Sequence, residues 1–244
     1  MASRAAAQRA IADGRVTVGG MPASKPSTLV DGSAAVALAD GGGEWASRAG
    51  HKLDGALDEL DVRIEGRRAL DVGASTGGFT DVLLARGAAA VTALDVGYGQ
   101  LVWRLRTDER VTVVDRTNIR TADPESLGAP FDLVTTDVSF ISIARIAPDL
   151  ARMGADGTDF VIMVKPQFEA GRGRVGAGGV VRDDAVRADA VLGAAAALRA
   201  AGIAILGATP SPLPGATGNR EVFLHGRLAA GDGIGDHQIV EHMS

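Results

Sequence analysis

The stretch Leu70-Asp71-Val72-Gly73-Ala74-Ser75-Thr76-Gly77-Gly78-Phe79 sets a carboxylate just ahead of a glycine-rich turn. Glycine lets the backbone turn sharply and lets a ligand approach with no Cβ in the way. The spacing is not that of a phosphate cradle. Ala74 and Ser75 interrupt G-x-G-x-x-G, and no lysine follows the glycines as a P-loop requires. Asp71 suits a ligand that carries positive charge and hydrogen-bond donors. A second carboxylate, Asp95, closes the apolar run Ala90-Val91-Thr92-Ala93-Leu94. At the tip of a second strand a carboxylate is placed to grip a ribose diol. Ammonium, sulfonium and ribose diol occur together in S-adenosylmethionine (SAM). SAM is therefore the cofactor expected over Gly73, Ala74, Ser75, Thr76, Gly77, Gly78 and Phe79, with Asp71 and Asp95-Val96 as polar and lateral contacts.

The elements that must position these residues follow the same logic. Leu70 and Val72 read as a buried strand, and Phe79 to Arg86 as an apolar helix. Strand, glycine loop and helix form the first unit of a doubly wound α/β domain, in which ligands bind beyond the carboxyl ends of the strands. Val111–Val114 reads as a third strand, and Thr117 and Asn118 follow it at the height of an adenine. Phe131–Thr136, ending in Asp137, is a fourth strand. Phe160–Val164, ending in Lys165-Pro166, is a fifth. A helix from about Asp184 to Ala201 leads to a sixth strand over Ile203–Leu206. The last strand, from Glu221, follows with no room for a crossover helix, so it should run antiparallel. Such a strand begins where its neighbours end. Asp137, Lys165 and Glu221 thus converge on one rim. Lys52, on an amphipathic helix that Ser47 could cap, can reach the same rim.

Composition narrows the classes. The 244 residues include 33 glycines and no cysteine, which rules out disulfides, thiolate metal sites and a thiol nucleophile. His51, His225, His237 and His242 lack metal-ligand spacing and are expected at the surface. No run of 18 apolar residues is present to span a bilayer, and no signal-peptide core opens the chain, so a cytoplasmic protein is expected. The net charge is −5, yet Arg4, Arg9, Arg15 and Lys25 face Asp13 alone at the amino terminus. A helix over Ser3–Ala12 and short strands at Arg15–Val18 and Ala35–Leu38 could present these cations to a phosphate backbone. Gly41-Gly42-Gly43 reads as a hinge. The expected domains are 1–42, 43–228 and a flexible tail over 229–244.

The amino-terminal order, with "SRAAAQRAIADGRVTVGGMPASKPSTLV", resembles an S4-like RNA-binding domain without the first helix that would precede Ser3. The segments "SRAGHKL", "LDVGASTGGFT", "ALDVGYGQLVW", "TTDVSFIS", "VKPQFEAG" and "SPLPGATGNREVFL" resemble, in order, the hemolysin A (TlyA) family of FtsJ-like rRNA 2′-O-methyltransferases. The resemblance implies a Rossmann-like SAM methyltransferase fold, with a mostly parallel seven-stranded sheet and an antiparallel last strand. It implies methylation of a ribose 2′-hydroxyl in ribosomal RNA, 16S or 23S or both, within ribosomal subunits. The family's Lys-Asp-Lys-Glu tetrad falls on Lys52, Asp137, Lys165 and Glu221, with Asp137 also beside the cofactor. Lys165 would be the general base, Asp137 and Glu221 would orient the lysines, and Lys52 would steady the oxyanion. Arg4, Arg9, Arg15, Lys25 and Arg48 would contact RNA. No metal is required, and no stable membrane association is expected. A methyltransferase acting on a non-RNA substrate and a membrane-lytic protein are the rival readings.

Overall fold

The computed structural model describes residues 4–12, 16–18, 21–23, 25–32, 34, 36–38 and 45–243. The glycine hinge at 41–43 and the helix start at Ser3 lie outside the described residues.

A small module comes first. Helix α1 (Arg4–Ala12) accompanies strands β1 (Val16–Val18), β2 (Met21–Pro22) and β3 (Val36–Leu38), which form an antiparallel sheet in the order β2-β1-β3. Ala10 and Val16 are buried.

The larger domain opens with α2 (Arg48–Glu59). Ser47 is its N-cap and accepts a hydrogen bond from the Ala49 N–H, satisfying a donor the helix leaves free. There follow β4 (Arg68–Val72), α3 (Gly78–Ala85), β5 (Ala90–Leu94), α4 (Trp103–Arg106), β6 (Val111–Val114), α5 (Pro124–Leu127) and β7 (Phe131–Thr136). The chain continues through α6 (Ala147–Ala151), β8 (Gly154–Val164), α7 (Pro166–Glu169), α8 (Asp184–Ala200), β9 (Ile203–Pro210), β10 (Val222–Leu228) and α9 (Asp236–His242). The seven strands are ordered β6-β5-β4-β7-β8-β10-β9. β10 is antiparallel to both β8 and β9, while β4, β5, β6, β7 and β8 are mutually parallel. The expected doubly wound sheet with one reversed strand is thus the observed one. Leu53, Leu57, Val82 and Leu83 of α2 and α3 pack on one face. Val191, Ala194 and Leu198 of α8 pack with Ile239 of α9 on the other. Burial on both faces explains why the strands read as continuous apolar runs.

Two expectations are corrected. Residues 229–243 are not a structureless tail. Ile239 and Met243 of the α9 segment are buried, and the Ile234 N–H donates to the Ile205 carbonyl at 2.7 Å. Arg199 anchors the segment through Asp236 at 2.6 Å and the Ile234 carbonyl at 2.8 Å. His225 is not at the surface either. Its Nε2 lies 2.8 Å from Oδ1 of the buried Asp159.

Asp159 also accepts from Arg227 Nε at 2.9 Å and Arg67 Nη1 at 2.6 Å. Burial alone would raise this carboxyl, but the bonds from His225, Arg227 and Arg67 outweigh it and hold it well below the usual carboxylate range. A depressed folded-state pKa stabilises the fold in full above the ordinary carboxylate range and loses that stabilisation as the pH falls through it. Asp159→Asn is expected to cost about 3–5 kcal/mol in urea unfolding at neutral pH, because three donors lose a buried charge. The gap to the parent should narrow in acid. A loss under 1 kcal/mol at neutral pH would show that the cluster contributes little.

Candidate active site

Beyond the carboxyl ends of β4, β5 and β7 lies a cleft of about 540 Å³. Gly73, Ser75, Asp95, Val96, Thr117, Asn118 and Asp137 line it, as the sequence pattern predicts. A smaller recess of about 90 Å³ adjoins it and shares Gly73, Ser75 and Asp137. Ala74, Thr76, Gly78 and Phe79 line this recess together with Ser47 at the start of α2.

The glycine loop is held by short backbone bonds. Gly73 and Ala74 donate to the Leu94 carbonyl at 2.8 and 3.1 Å, and Asp137 donates to the Val72 carbonyl at 3.0 Å. Gly73 has φ +88, and a Cβ there would meet the Asp137 carbonyl oxygen at 2.6 Å. Only glycine accommodates both demands. At the tip of β5, Asp95 accepts from the Ser75 N–H at 2.8 Å and the Gly97 N–H at 2.6 Å. These bonds fix the carboxylate against the floor of the cleft while each oxygen keeps a free lone pair.

Two of the residues expected to touch the cofactor do not line either cavity. Asp71 is fully buried below the loop. It accepts from Thr80 Oγ1 at 2.7 Å and Thr135 Oγ1 at 3.4 Å, tying α3 and β7 to β4. Strand alternation turns its side chain into the sheet's packing layer, which the motif alone does not reveal. Gly77 is the N-cap of α3 at φ 101, and a Cβ there would lie 2.4 Å from Leu105. Its role is the close approach of α4.

The four charges of the rim fall into two ion pairs. Lys165 Nζ lies 2.6 Å from Asp137 Oδ1 and donates to Ser139 Oγ at 2.9 Å. Lys52 Nζ lies 2.5 Å from Glu221 Oε2, and both side chains are buried. The register Val222↔Val164 sets Glu221 across from Lys165, as its topology predicts, but its carboxylate turns to Lys52. Lys52 is therefore not the solvated lysine that an isolated helix would present.

Other neighbours carry no motif signal of their own. Gln100 lines the cleft and accepts from Ser75 Oγ at 3.2 Å. Ser139 and Phe140 follow Asp137 at the cleft mouth. Phe140 has φ 66 and is 90% exposed, with its ring 5.1 Å from that of Phe168. Among the expected RNA contacts, Arg4 and Lys25 are exposed and Arg9 lies on α1. Arg15 lies outside the described residues. Arg48 donates from Nη2 to the Pro214 carbonyl, a neutral partner that leaves its positive charge in place.

A glycine loop after β4, a carboxylate after β5 and a reversed strand at the sheet's far side define a Rossmann-like methyltransferase. The comparisons agree. The FtsJ-like methyltransferase model matches residues 45–228, and the S4 domain model matches residues 1–36. The chain is 51% identical over 223 residues to a 16S/23S rRNA (cytidine-2′-O)-methyltransferase TlyA of Mycobacterium tuberculosis strain H37Rv, covering 91% of this chain and 83% of that one. A solved structure described as a hemolysin from Streptococcus thermophilus superposes with TM-score 0.81 at 36% identity, over 99% of this chain and 89% of that one. A SAM-dependent methyltransferase from Mesorhizobium loti shares the fold, with TM-score 0.51 at 18% identity over 71% of this chain and 96% of that one. The chain belongs to the FtsJ-like methyltransferase family and, within it, to the TlyA group. A methyltransferase of this family takes its methyl group from SAM. The cleft fits that cofactor: its volume suits a nucleoside, Asp95 offers acceptors to a diol, and Gly73 lines it without a side chain.

Burial pushes the Asp71 carboxyl up to about 7, and the charge of Asp137 adds to this against the bonds from Thr80 and Thr135. The folded state then holds a proton that the unfolded state has lost, so stability falls as pH rises from about 4 to about 7. Asp71→Asn removes this dependence. Its melting temperature should gain on the parent's across that interval and run parallel above it. A constant gap from pH 4 to 8 would show that Asp71 does not titrate there.

Proposed function

We propose that the protein transfers a methyl group from SAM to a ribose 2′-hydroxyl of ribosomal RNA within ribosomal subunits, 16S or 23S, in the cytoplasm. The observation that carries this reading is the pair of lysine–carboxylate contacts, Lys165 with Asp137 and Lys52 with Glu221, of which Asp137 lines both the cleft and the recess. Asp95, Val96, Thr117 and Asn118 would hold the nucleoside end of the cofactor, and residues 73–79 with Ser47 would hold its amino-acid end. When bound, SAM supplies a methyl carbon made electrophilic by the sulfonium.

The chain's own residues do the rest. A ribose hydroxyl is a weak nucleophile until its proton is removed. Lys165 Nζ, once its ammonium has given up a proton, takes the 2′-hydroxyl proton as general base, held in place by Asp137 and Ser139. The ammonium of Lys52, fixed by Glu221, stabilises the charge that develops on the ribose oxygen. The exposed Phe140 ring offers a face on which a nucleobase can stack, which suits RNA better than a small substrate. Residues 1–42 act as the RNA-binding module, through Arg4, Arg9, Arg15 and Lys25, and residues 43–228 as the catalytic domain, in which Arg48 adds a further RNA contact. The relative of Mycobacterium tuberculosis is a 16S/23S rRNA (cytidine-2′-O)-methyltransferase, which supports an rRNA substrate here.

Incubation with tritiated SAM and separated ribosomal subunits should label RNA in alkali-resistant dinucleotides. Label confined to protein or to small molecules would overturn the substrate. Lys165→Ala should abolish transfer, by at least a hundredfold, while calorimetry finds the SAM Kd within twofold of the parent. Loss of both would move Lys165 to the cofactor site or the fold. Asp95→Ala should raise the SAM Kd at least tenfold, roughly 1.4 kcal/mol, and an unchanged Kd would remove Asp95 from the site.

A further inference from the structure

Between β9 and β10 the chain crosses residues 211–220 and arrives at Glu221. Asn219 lies in this loop yet is only 1% exposed. Its side-chain polar atoms are all engaged. Oδ1 accepts from the Val181 N–H at 2.9 Å, and Nδ2 donates to the Gly179 carbonyl at 2.9 Å and to Thr217 Oγ1 at 3.0 Å. Its backbone carbonyl accepts from the Gly215 N–H at 2.8 Å, closing a turn that returns the chain toward Glu221. A carboxamide is the one side chain of this size that offers donors and an acceptor in one plane.

The segments it joins matter. Gly179 and Val181 end the glycine-rich stretch that leads away from α7, and so from Lys165. The turn that Asn219 closes packs on the carboxylate two residues further on. A Cβ at Gly215 would lie 2.8 Å from Glu221 Oε1. One carboxylate oxygen thus lies beside the turn and the other, Oε2, faces Lys52 Nζ.

Resting on the reading of Lys52 and Glu221 given above, we infer that Asn219 is a positioning residue of the methyl transfer. Its carboxamide fixes the turn so that Glu221 keeps its contact with Lys52. It touches neither substrate nor cofactor, and its effect runs through Glu221.

A double-mutant cycle tests this, read by single-turnover tritium transfer to RNA with enzyme in excess. Asn219→Ala should slow transfer at least tenfold and leave the SAM Kd by calorimetry within twofold. In a Glu221→Gln background the same change should cost less than twofold, because the group it positions is already gone. Equal losses in both backgrounds would overturn the inference and make Asn219 an ordinary loop staple, and so would an unchanged rate for Asn219→Ala. Glu221→Gln at the parent's rate would instead remove Glu221 from the site, and the inference with it. Should Asn219→Ala lack a cooperative melt, Asn219→Asp replaces it in the same cycle. That variant keeps the acceptor for Val181 and loses both donors, and the same two comparisons decide the outcome.

Discussion

Two ammonium groups on one rim repel each other, and Lys52 is buried besides. An unpaired buried cation costs several kcal/mol, so each lysine needs its own carboxylate at hydrogen-bond distance. The chain meets this demand from two sides of the sheet. Asp137 follows β7 and pairs with Lys165, which follows the neighbouring parallel strand β8. Glu221 precedes β10 and pairs with Lys52. The second arrangement depends on strand direction. A parallel strand in the place of β10 would set its first residue at the opposite edge, a full strand length from Lys52. Reversal of this one strand, inserted between β8 and β9, is what completes the charge pattern.

The other half of that pair relies on close helix packing. Lys52 sits one turn into α2, which lies against α3. A Cβ on Gly78 would come within 2.3 Å of Ser47 Oγ, and one on Gly50 within 2.4 Å of the Trp45 side chain. The absence of side chains at both positions lets the start of α2 settle onto the start of α3. Asp81 of α3 then accepts from the Ala46 N–H at 2.7 Å and pairs with Arg104 of α4. The entry to α2, the glycine loop and the helix flanking the cleft are in this way one packed unit.

Much of this was legible in the sequence. The strand–glycine–helix signature, the carboxylate at the end of β5 and the short link before the last strand are local patterns with direct geometric consequences. What was not legible depends on partners remote in the chain. Asp71 reads as a ligand group because it precedes the glycines, yet Thr80 and Thr135 claim it inside the sheet. Arg48 is anchored by the Pro214 carbonyl from 166 residues away, a partner that its own neighbourhood in the sequence does not announce. Ile234, Ile239 and Met243 show no helical period of their own, because β9 and α8 supply the surface that orders them. His225 lacks a local partner, and Asp159 reaches it only across the β8–β10 register. In each case the missing information is a pairing between segments, which side-chain type and spacing do not carry.

Asp137 is where the two halves of the site meet. Its N–H is bonded to Val72 and its carbonyl lies against Gly73, so its backbone is part of the glycine loop's support. Its carboxylate meets Lys165, and the residue lines both the cleft and the recess. Cofactor seated against the loop would rest on the backbone that carries the Asp137 carboxylate and, through it, Lys165. Glu221, which fixes Lys52, leads into β10 and so into the strand paired with β8, beyond whose end Lys165 lies. On the proposed reading, the base and the oxyanion-stabilising cation are thus placed by adjoining strand ends of one sheet.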